Sequence, residues 1–290
     1  MFSQTAVAFV GLFYGGLAMV CFAMNIVLLV TVFTAPEYQT GTYRIIRCIC
    51  VVCMIQLAMF LTGSIMSIAN NEFNTILNRI LGAILQAGWF LYIGLSLSLA
   101  IDRLLYFIST SQRTGNLIIT SILGLTWIIG LGYLVAFLLP GYSFRYCCSD
   151  QYLRWFYSRE NGADFLRHTE VYLDFVVLSL VLLIYICVFG CLLKMRSKSS
   201  TFLASQSLKV EVRILLVSIV TFVYECIYLF WFFWGSTFLP DSSYTHVITT
   251  TLWIIDCGFF SFVTICLNAS IRKRIKTLVK PVKTTTVTRF

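Results

Sequence analysis

The sequence predicts an all-α membrane protein in which seven transmembrane helices form one bundle, with the N-terminus outside the cell and the C-terminus in the cytoplasm. Three observations lead to this fold class. The 290 residues are 59% hydrophobic and 11% charged, with a mean hydropathy of +0.88, whereas soluble domains carry about 25% charged residues. Seven apolar segments are each long enough to cross a bilayer, which takes roughly 20 helical residues. Most of the 21 basic residues lie on one side of these segments, and an excess of Lys and Arg marks the cytoplasmic side.

The predicted helices alternate with short polar connections. Helix one follows a short uncharged start, unlike the basic start of a cleaved signal peptide, so we expect it to remain as a transmembrane helix. Pro36 and Pro140 mark the ends of helices one and four, because proline cannot continue a helix. The seven helices are predicted at residues 6–33, 44–68, 79–107, 117–139, 170–193, 214–238 and 246–268.

The connections and the tail carry the charges that set the orientation. The longest loop, 141–168, is predicted to be extracellular, and the basic, serine-rich segment 194–213 is predicted to be cytoplasmic. Residues 1–268 then form the bundle, and 269–290 form a cytoplasmic tail. Within that tail, 270–279 predicts a short amphipathic helix on the lipid surface, because its apolar residues share one face and basic residues cover the rest.

Composition argues against several other classes of site. The formal charge of +9 is spread over membrane edges rather than gathered in one solvated patch, so no nucleic-acid partner is expected. Of the eleven cysteines, all except Cys147 and Cys148 lie in apolar stretches, where they act as small packing residues. No Cys-x-x-Cys motif or histidine ligand set accompanies these two, so we expect neither a metal site nor a cofactor.

Helix three ends in an Asp-Arg pair, Asp102 and Arg103. Steps of three and four residues place Arg103 on one helical face with Gln86, Trp89, Ile93, Ser96 and Ala100. A cation at one end of a membrane-length helix needs water or a partner. Arg103 therefore either faces the bundle interior with these residues or is a snorkelling arginine that only anchors the helix at the interface.

Two further acids fall midway along predicted spans, Glu225 in helix six and Asp256 in helix seven. Each shares a helical face with other polar residues, so we expect both to face the interior and contribute to a polar cavity. The alternative is that they only fix helix packing through hydrogen bonds. Asp174 is expected to be less informative because it lies near the outer interface. The candidate ligand cavity comprises Gln86, Trp89, Glu225, Tyr228, Trp253 and Asp256.

The chain resembles G-protein-coupled receptors, and more narrowly the nematode serpentine chemoreceptors of class T. The likeness covers most of the helical core and rests on TYRIIRCICVVCMIQLAMFLTG at 42–63, LSLAIDRLL at 97–105 with Trp89, and LNASIR at 267–272. It implies a receptor rather than an enzyme, in the plasma membrane, for instance that of a sensory cilium. Such a receptor binds a small-molecule ligand, for instance an odorant, within the bundle and activates a heterotrimeric G protein.

The resemblance also implies roles for charged residues at the inner end of the bundle. Asp102 would restrain the Arg103 guanidinium in a resting state. Glu211, just before helix six, is a second partner on the same side of the membrane. An Arg103–Glu211 pair would tie helix three to helix six, and breaking it would free helix six to swing outward.

The chain departs from the pattern of rhodopsin-like receptors in several places. Residues 70–85 contain no cysteine, so the usual bridge to the loop that carries Cys147 and Cys148 cannot form. Helix six lacks Cys-Trp-x-Pro, helix seven lacks Asn-Pro-x-x-Tyr, helix two has no acid, and no proline lies inside a predicted span. The parts of the chain that switch between resting and active states are therefore expected to differ from those of rhodopsin-like receptors.

A membrane transporter that couples to protons or ions through Glu225 and Asp256 is the alternative function. Against it, the sequence has no detectable inverted repeat and no helices interrupted at matched positions. A retinal-binding pump would need a lysine midway along helix seven, and a membrane hydrolase would need clustered His and Asp ligands. The sequence has neither feature.

Overall fold

The computed structural model describes residues 3–34, 38, 40–108, 111–147, 153–198, 202–239 and 243–279. Within these ranges the chain forms eight helices and one antiparallel β-hairpin. In chain order they are α1 (Gln4–Thr34), α2 (Gly41–Ala69), α3 (Thr75–Phe107), α4 (Gln112–Leu138), β1 (Phe144–Cys147), β2 (Arg154–Tyr157), α5 (Asn161–Lys198), α6 (Phe202–Phe238), α7 (Ser243–Leu267) and α8 (Ala269–Val279). Helices α1 to α7 are long and apolar enough to cross a membrane, so the chain is an all-helical membrane protein with a seven-helix bundle.

Two helices extend well beyond the spans predicted from the sequence. Helix α5 begins at Asn161 rather than 170, and α6 begins at Phe202 rather than 214. Hydropathy marks only the stretch that suits lipid, whereas backbone hydrogen bonding continues a helix into water wherever nothing interrupts it. The segments 141–168 and 194–213, predicted as loops, therefore contain a hairpin and long helical extensions.

Helix α3 lies at the centre of the bundle. It contacts α2, α4, α5, α6 and β1. In its most apolar stretch of 18 residues, 67% of the residues are buried. Gly130 lets α4 approach it closely, since a Cβ atom there would lie 2.4 Å from the Leu91 side chain. Because α3 touches so many neighbours, its polar side chains are placed to meet groups from several helices.

Asn25 joins α1 to α7. Its amide nitrogen donates to the carbonyl of Cys257 at 3.0 Å and to that of Cys21 at 2.9 Å, while its oxygen accepts from the Ser261 hydroxyl at 2.8 Å. A polar side chain inside a membrane bundle needs such partners, because lipid offers none. Two of these three hydrogen bonds therefore link α1 to α7, and the third lies within α1.

The hairpin covers one end of the bundle and is fixed there by Asn78 of α3. The Asn78 amide nitrogen donates to the Tyr146 carbonyl at 2.9 Å, and its oxygen accepts from the Tyr146 backbone N–H at 2.8 Å. The Tyr146 hydroxyl also bonds the Ser67 hydroxyl of α2 at 2.6 Å. Gly82 lets the backbone of β1 lie directly against α3, since a Cβ atom there would overlap the Phe144 carbonyl oxygen. These contacts link α3 to the hairpin where the sequence has no cysteine for a bridge.

Helix α8 begins directly after the bundle and packs on the end opposite the hairpin, where it contacts α1 and α7. The Asn268 side chain accepts hydrogen bonds from the backbone N–H groups of Ser270 and Ile271, which caps the helix. Ile271 is fully buried, while Arg272 and Lys273 are exposed. The sequence predicts an amphipathic helix on the lipid surface at 270–279; its placement at a lipid surface stays a prediction, and 280–290 lie outside the described residues.

Candidate functional site

A cavity of about 690 Å³ lies under the hairpin, between β1, β2 and the adjacent ends of α5, α6 and α7. Its volume falls in the range of about 300–1,000 Å³ that is typical of small-molecule sites. Most of the lining side chains are aromatic or basic. They are Phe144, Cys147, Arg154, Trp155, Phe156, Tyr157, Arg159, Arg167, Phe232, Phe233 and His246.

Beneath this cavity, Tyr157 leads into a hydrogen-bonded group on α3 and α5. The Tyr157 hydroxyl donates to the Glu170 carboxylate. Gln86 of α3 donates to Glu170 at 2.6 Å and to the Tyr157 oxygen at 2.9 Å. Burial and the adjacent Glu170 carboxylate raise the pKa of Tyr157 well above its usual range, so the phenol remains a hydrogen-bond donor.

Further along α3, side chains on the same side of the helix bind two more acids. Trp89 donates its indole N–H to Asp174 of α5 at 3.3 Å. The Tyr92 hydroxyl donates to Glu225 of α6 at 2.8 Å, and the Ser96 hydroxyl donates to the same oxygen at 3.1 Å. Gln86, Trp89, Tyr92 and Ser96, with the acids that they bind, form a series along one side of α3 that we call the α3 polar column.

Aromatic rings close the middle of the column. Trp89 packs edge to face on Tyr228, with ring centroids 5.3 Å apart, and on Trp253, at 5.9 Å. Trp253 donates its indole N–H to the Gln56 side chain at 3.2 Å. Such geometry is favourable for aromatic pairs. It also fills the space, so a movement of any one ring requires the others to repack.

Asp256 lies beside this column on α7 and is 2% exposed. It is close enough to Glu225 for the two carboxylates to interact electrostatically. Unlike Glu225, it accepts no hydrogen bond from a side chain in the described part of the structure. A void of about 10 Å³ borders Glu225, Ser96 and Ser218, which is about the space of one water molecule.

At the inner end of α3, Arg103 is buried, with 2% of its surface exposed. Its guanidinium donates to the Asp102 carboxylate and to the Thr42 hydroxyl of α2, and Thr42 donates to Asp102 at 2.7 Å. We call these three residues the inner cluster. A snorkelling arginine would direct its head to water, whereas this one is held between two helices.

The residues singled out in the sequence thus fall into two groups rather than one pocket. Gln86, Trp89, Glu225, Tyr228, Trp253 and Asp256 all lie in the packed centre, and none of them is among the described residues that line the large cavity. Asp102 and Arg103 lie in the inner cluster. The Glu211 side chain is outside the described residues, so its pairing with Arg103 stays a prediction, and Cys148 lies outside them as well.

Several functional candidates were not apparent from the sequence. Asp174, which we expected to be the less informative acid, is completely buried. Glu170 and Tyr157 become partners only because the hairpin folds over α5, and Thr42 reaches Asp102 from a separate helix. One signal was available, since Glu170 and Asp174 lie on the buried stripe of α5 that continues through Leu178, Val181, Tyr185 and Val188.

No family model matches the chain, and no curated protein is similar enough in sequence to count as a relative. Among solved structures, the chain is similar to the crystal structure of squid rhodopsin, with a TM-score of 0.77 and 13% sequence identity. The superposition covers 96% of this chain and 86% of the rhodopsin chain. At this identity the likeness is one of fold, and it extends over nearly the whole molecule. The chain therefore adopts the seven-helix fold of the G-protein-coupled receptors.

Proposed function

We propose that the protein is a chemosensory G-protein-coupled receptor that binds a small molecule from outside the cell and activates a heterotrimeric G protein. The observation that carries this proposal is the α3 polar column. It begins beneath a ligand-sized cavity and points along α3 toward the inner cluster. The sequence resemblance to nematode serpentine chemoreceptors of class T supports the chemosensory role, and an odorant is the corresponding kind of ligand.

The column supplies a physical route from ligand to helix movement. A ligand in the cavity touches Tyr157, which bonds Glu170, and that acid is held by Gln86 of α3. A ligand shifts a conformational equilibrium only by the difference in its affinity for the two states. Here the difference arises where the hairpin and α5 move relative to α3, because the buried hydrogen bonds of Glu170 must then be remade.

The inner cluster is the proposed switch. With Arg103 held by Asp102 and Thr42, its guanidinium is withdrawn from the surface that a G protein would meet. Release of Arg103, together with loss of the predicted Arg103–Glu211 pair, would free the inner end of α6. A change of about 1.4 kcal/mol alters the ratio of two states tenfold, so the loss of one charged hydrogen bond, worth about 1.5–3 kcal/mol, is sufficient.

This function requires the orientation that the basic residues predict, in a plasma membrane such as that of a sensory cilium. The hairpin and cavity then face the outside, and the inner cluster, α8 and 280–290 face the cytoplasm. Epitope tags in the hairpin connection and after Val279 test this orientation in intact cells. The first tag should be accessible without permeabilisation and the second should not, and the reverse result would exclude the receptor mechanism.

Nucleotide exchange tests the function directly. The full-length protein is reconstituted in lipid nanodiscs with purified heterotrimeric G proteins, and GTPγS uptake is measured with a panel of small molecules. Arg103→Gln should abolish receptor-dependent uptake. Arg113→Gln is the matched control, because it removes one exposed basic charge near the same end of the bundle. Full exchange by a correctly folded Arg103→Gln variant would rule out the switch.

A proton- or ion-coupled transporter remains the second candidate, because Asp256 is buried beside Glu225 without a hydrogen-bond donor among the described side chains. A carboxylate in such a position is costly and is a candidate carrier of a proton or cation. Proton uptake by protein-loaded liposomes under a pH gradient distinguishes the two functions. Uptake that disappears in Asp256→Asn would favour transport, whereas a receptor shows none.

A further inference from the structure

We propose that the cavity under the hairpin binds a small amphipathic anion, with its charged group held by arginines and its apolar body against the aromatic wall. This names the ligand class of the proposed receptor, and so its meaning for signalling rests on that function. The binding itself does not depend on G-protein coupling. The proposal rests on the charge, the shape and the neighbours of the cavity.

Positive charge surrounds the cavity. Arg154 on β2 is half-buried in its wall, while Arg159 and Arg167 lie exposed at its edge on either side of the start of α5. None of the described residues that line the cavity is an Asp or a Glu. Clefts lined by charge of one sign concentrate ligands of the opposite sign, so the cavity favours an anion over a neutral or cationic molecule of the same shape.

The described acids nearest in sequence to Arg159 and Arg167 each contact another side chain, whereas Asp150, the acid nearest to Arg154, lies outside the described residues. Glu160 accepts from Arg145 at 3.3 Å on the outer face of the hairpin. Asp164 lies 3.7 Å from His168 on the same helix. Glu170 is bound by Gln86 and Tyr157. Among the described residues no ion pair joins an acid to Arg159 or Arg167, although Arg167 is near enough to Glu170 for the two charges to interact.

The guanidinium group suits this role because its planar fork of N–H donors matches the geometry of a carboxylate, sulfate or phosphate group. The same cavity is also lined by Phe232 and Phe233 of α6 and Trp155 of β2, which supply an apolar surface. A ligand with a charged head and an aryl or alkyl body would meet both kinds of surface at once. A purely inorganic anion would leave the aromatic wall without contact.

A set of ligands that differ only in charge provides the test. The full-length protein in nanodiscs is titrated with 3-phenylpropanoate, 3-phenylpropanamide and 3-phenylpropylammonium, and with phenyl phosphate and phenyl sulfate to compare anionic groups. We expect at least one anion to bind about tenfold more tightly than the amide, with the ammonium weakest and the difference shrinking as salt rises. Equal binding of the acid, amide and ammonium, or no binding by any of the three anions, would overturn the proposal.

Arginine variants locate the site. Arg159→Gln and Arg167→Gln should each weaken anion binding about tenfold, and the double replacement by Glu should reverse the preference toward 3-phenylpropylammonium. Arg145→Gln is the matched control, since Arg145 lies on the same hairpin but pairs with Glu160 outside the cavity. Unchanged anion affinity in both cavity variants would also overturn the proposal. Because both arginines are exposed, their replacement should leave the thermal unfolding midpoint unchanged.

The binding and signalling assays separate this inference from the proposed function. An anion that binds with the expected arginine dependence but never alters GTPγS exchange contradicts the receptor proposal and leaves the site in place. Exchange driven by neutral ligands, with no dependence on Arg159 or Arg167, supports the receptor proposal and refutes the anion site.

Discussion

Replacing Asn78 by Ala should detach the hairpin from α3 without unfolding the bundle. The Asn78 side chain makes two buried hydrogen bonds to the Tyr146 backbone, at 2.9 and 2.8 Å. The variant leaves a buried N–H and a buried C=O without a partner, at a cost of about 1–3 kcal/mol each. Partial relaxation and entry of water reduce the sum, so we expect about 2–4 kcal/mol. That amounts to roughly a 30- to 1,000-fold increase in the population of the open hairpin.

Hydrogen–deuterium exchange of peptides that cover the hairpin measures this population, because local opening exposes backbone amides. Exchange should accelerate in β1 and β2 and stay unchanged in α7. Asn74→Ala is the matched control. Asn74 caps α3 by accepting from the Ile76 N–H at 2.8 Å and makes no hydrogen bond to the described residues of the hairpin. Equal hairpin exchange in the two variants would refute the reasoning and assign the attachment to the Ser67–Tyr146 bond and the packing at Gly82.

Two further predictions concern the interior and the inner end of the bundle. Thr42→Val keeps the side-chain shape but removes the hydroxyl that joins Asp102 and Arg103. Ligand-independent GTPγS exchange should therefore rise about tenfold. Unchanged basal exchange would argue against the inner cluster as a restraint on the resting state. Glu225→Gln keeps an oxygen that accepts from Tyr92 and should leave basal exchange near its original level, whereas Glu225→Leu should raise it. Equal effects of the two replacements would show that the charge, rather than the hydrogen bonding, determines the resting state.

The seven-helix fold follows from the sequence because membrane spans depend on one local property. A helix in lipid must satisfy its own backbone and present apolar side chains over about 20 residues, and each such stretch can be recognised without knowledge of the others. The inward direction of Arg103 follows in the same way, from its periodicity along one helix. Its partner Thr42 does not, because nothing local to either segment specifies which helices become neighbours.

The hairpin was missed for a different reason. The sequence of β1 carries a local signal for a strand, but the charge of the surrounding loop outweighed it. In β1, Phe144 and Tyr146 are buried while Arg145 is only partly so, which is the alternation expected of a strand that covers a core. The surrounding loop is rich in charged as well as aromatic residues, and its charge favoured an irregular extracellular segment. The role of Asp174 could not be judged from its position along helix five, because distance from the membrane centre does not indicate whether a side chain faces water or the neighbouring helix.

The central claim is that the α3 polar column restrains α6, and the most direct test is the distance between the inner ends of α3 and α6. Spin labels are introduced as non-natural amino acids at the exposed positions Ile108 and Val212, and the distance distribution is measured by pulsed electron resonance. The original protein should give one short distance without ligand. The double variant Tyr92→Phe, Ser96→Ala, which removes both donors to Glu225, should add a second, longer population. Coincident distributions in the two proteins would contradict the claim that the column controls α6.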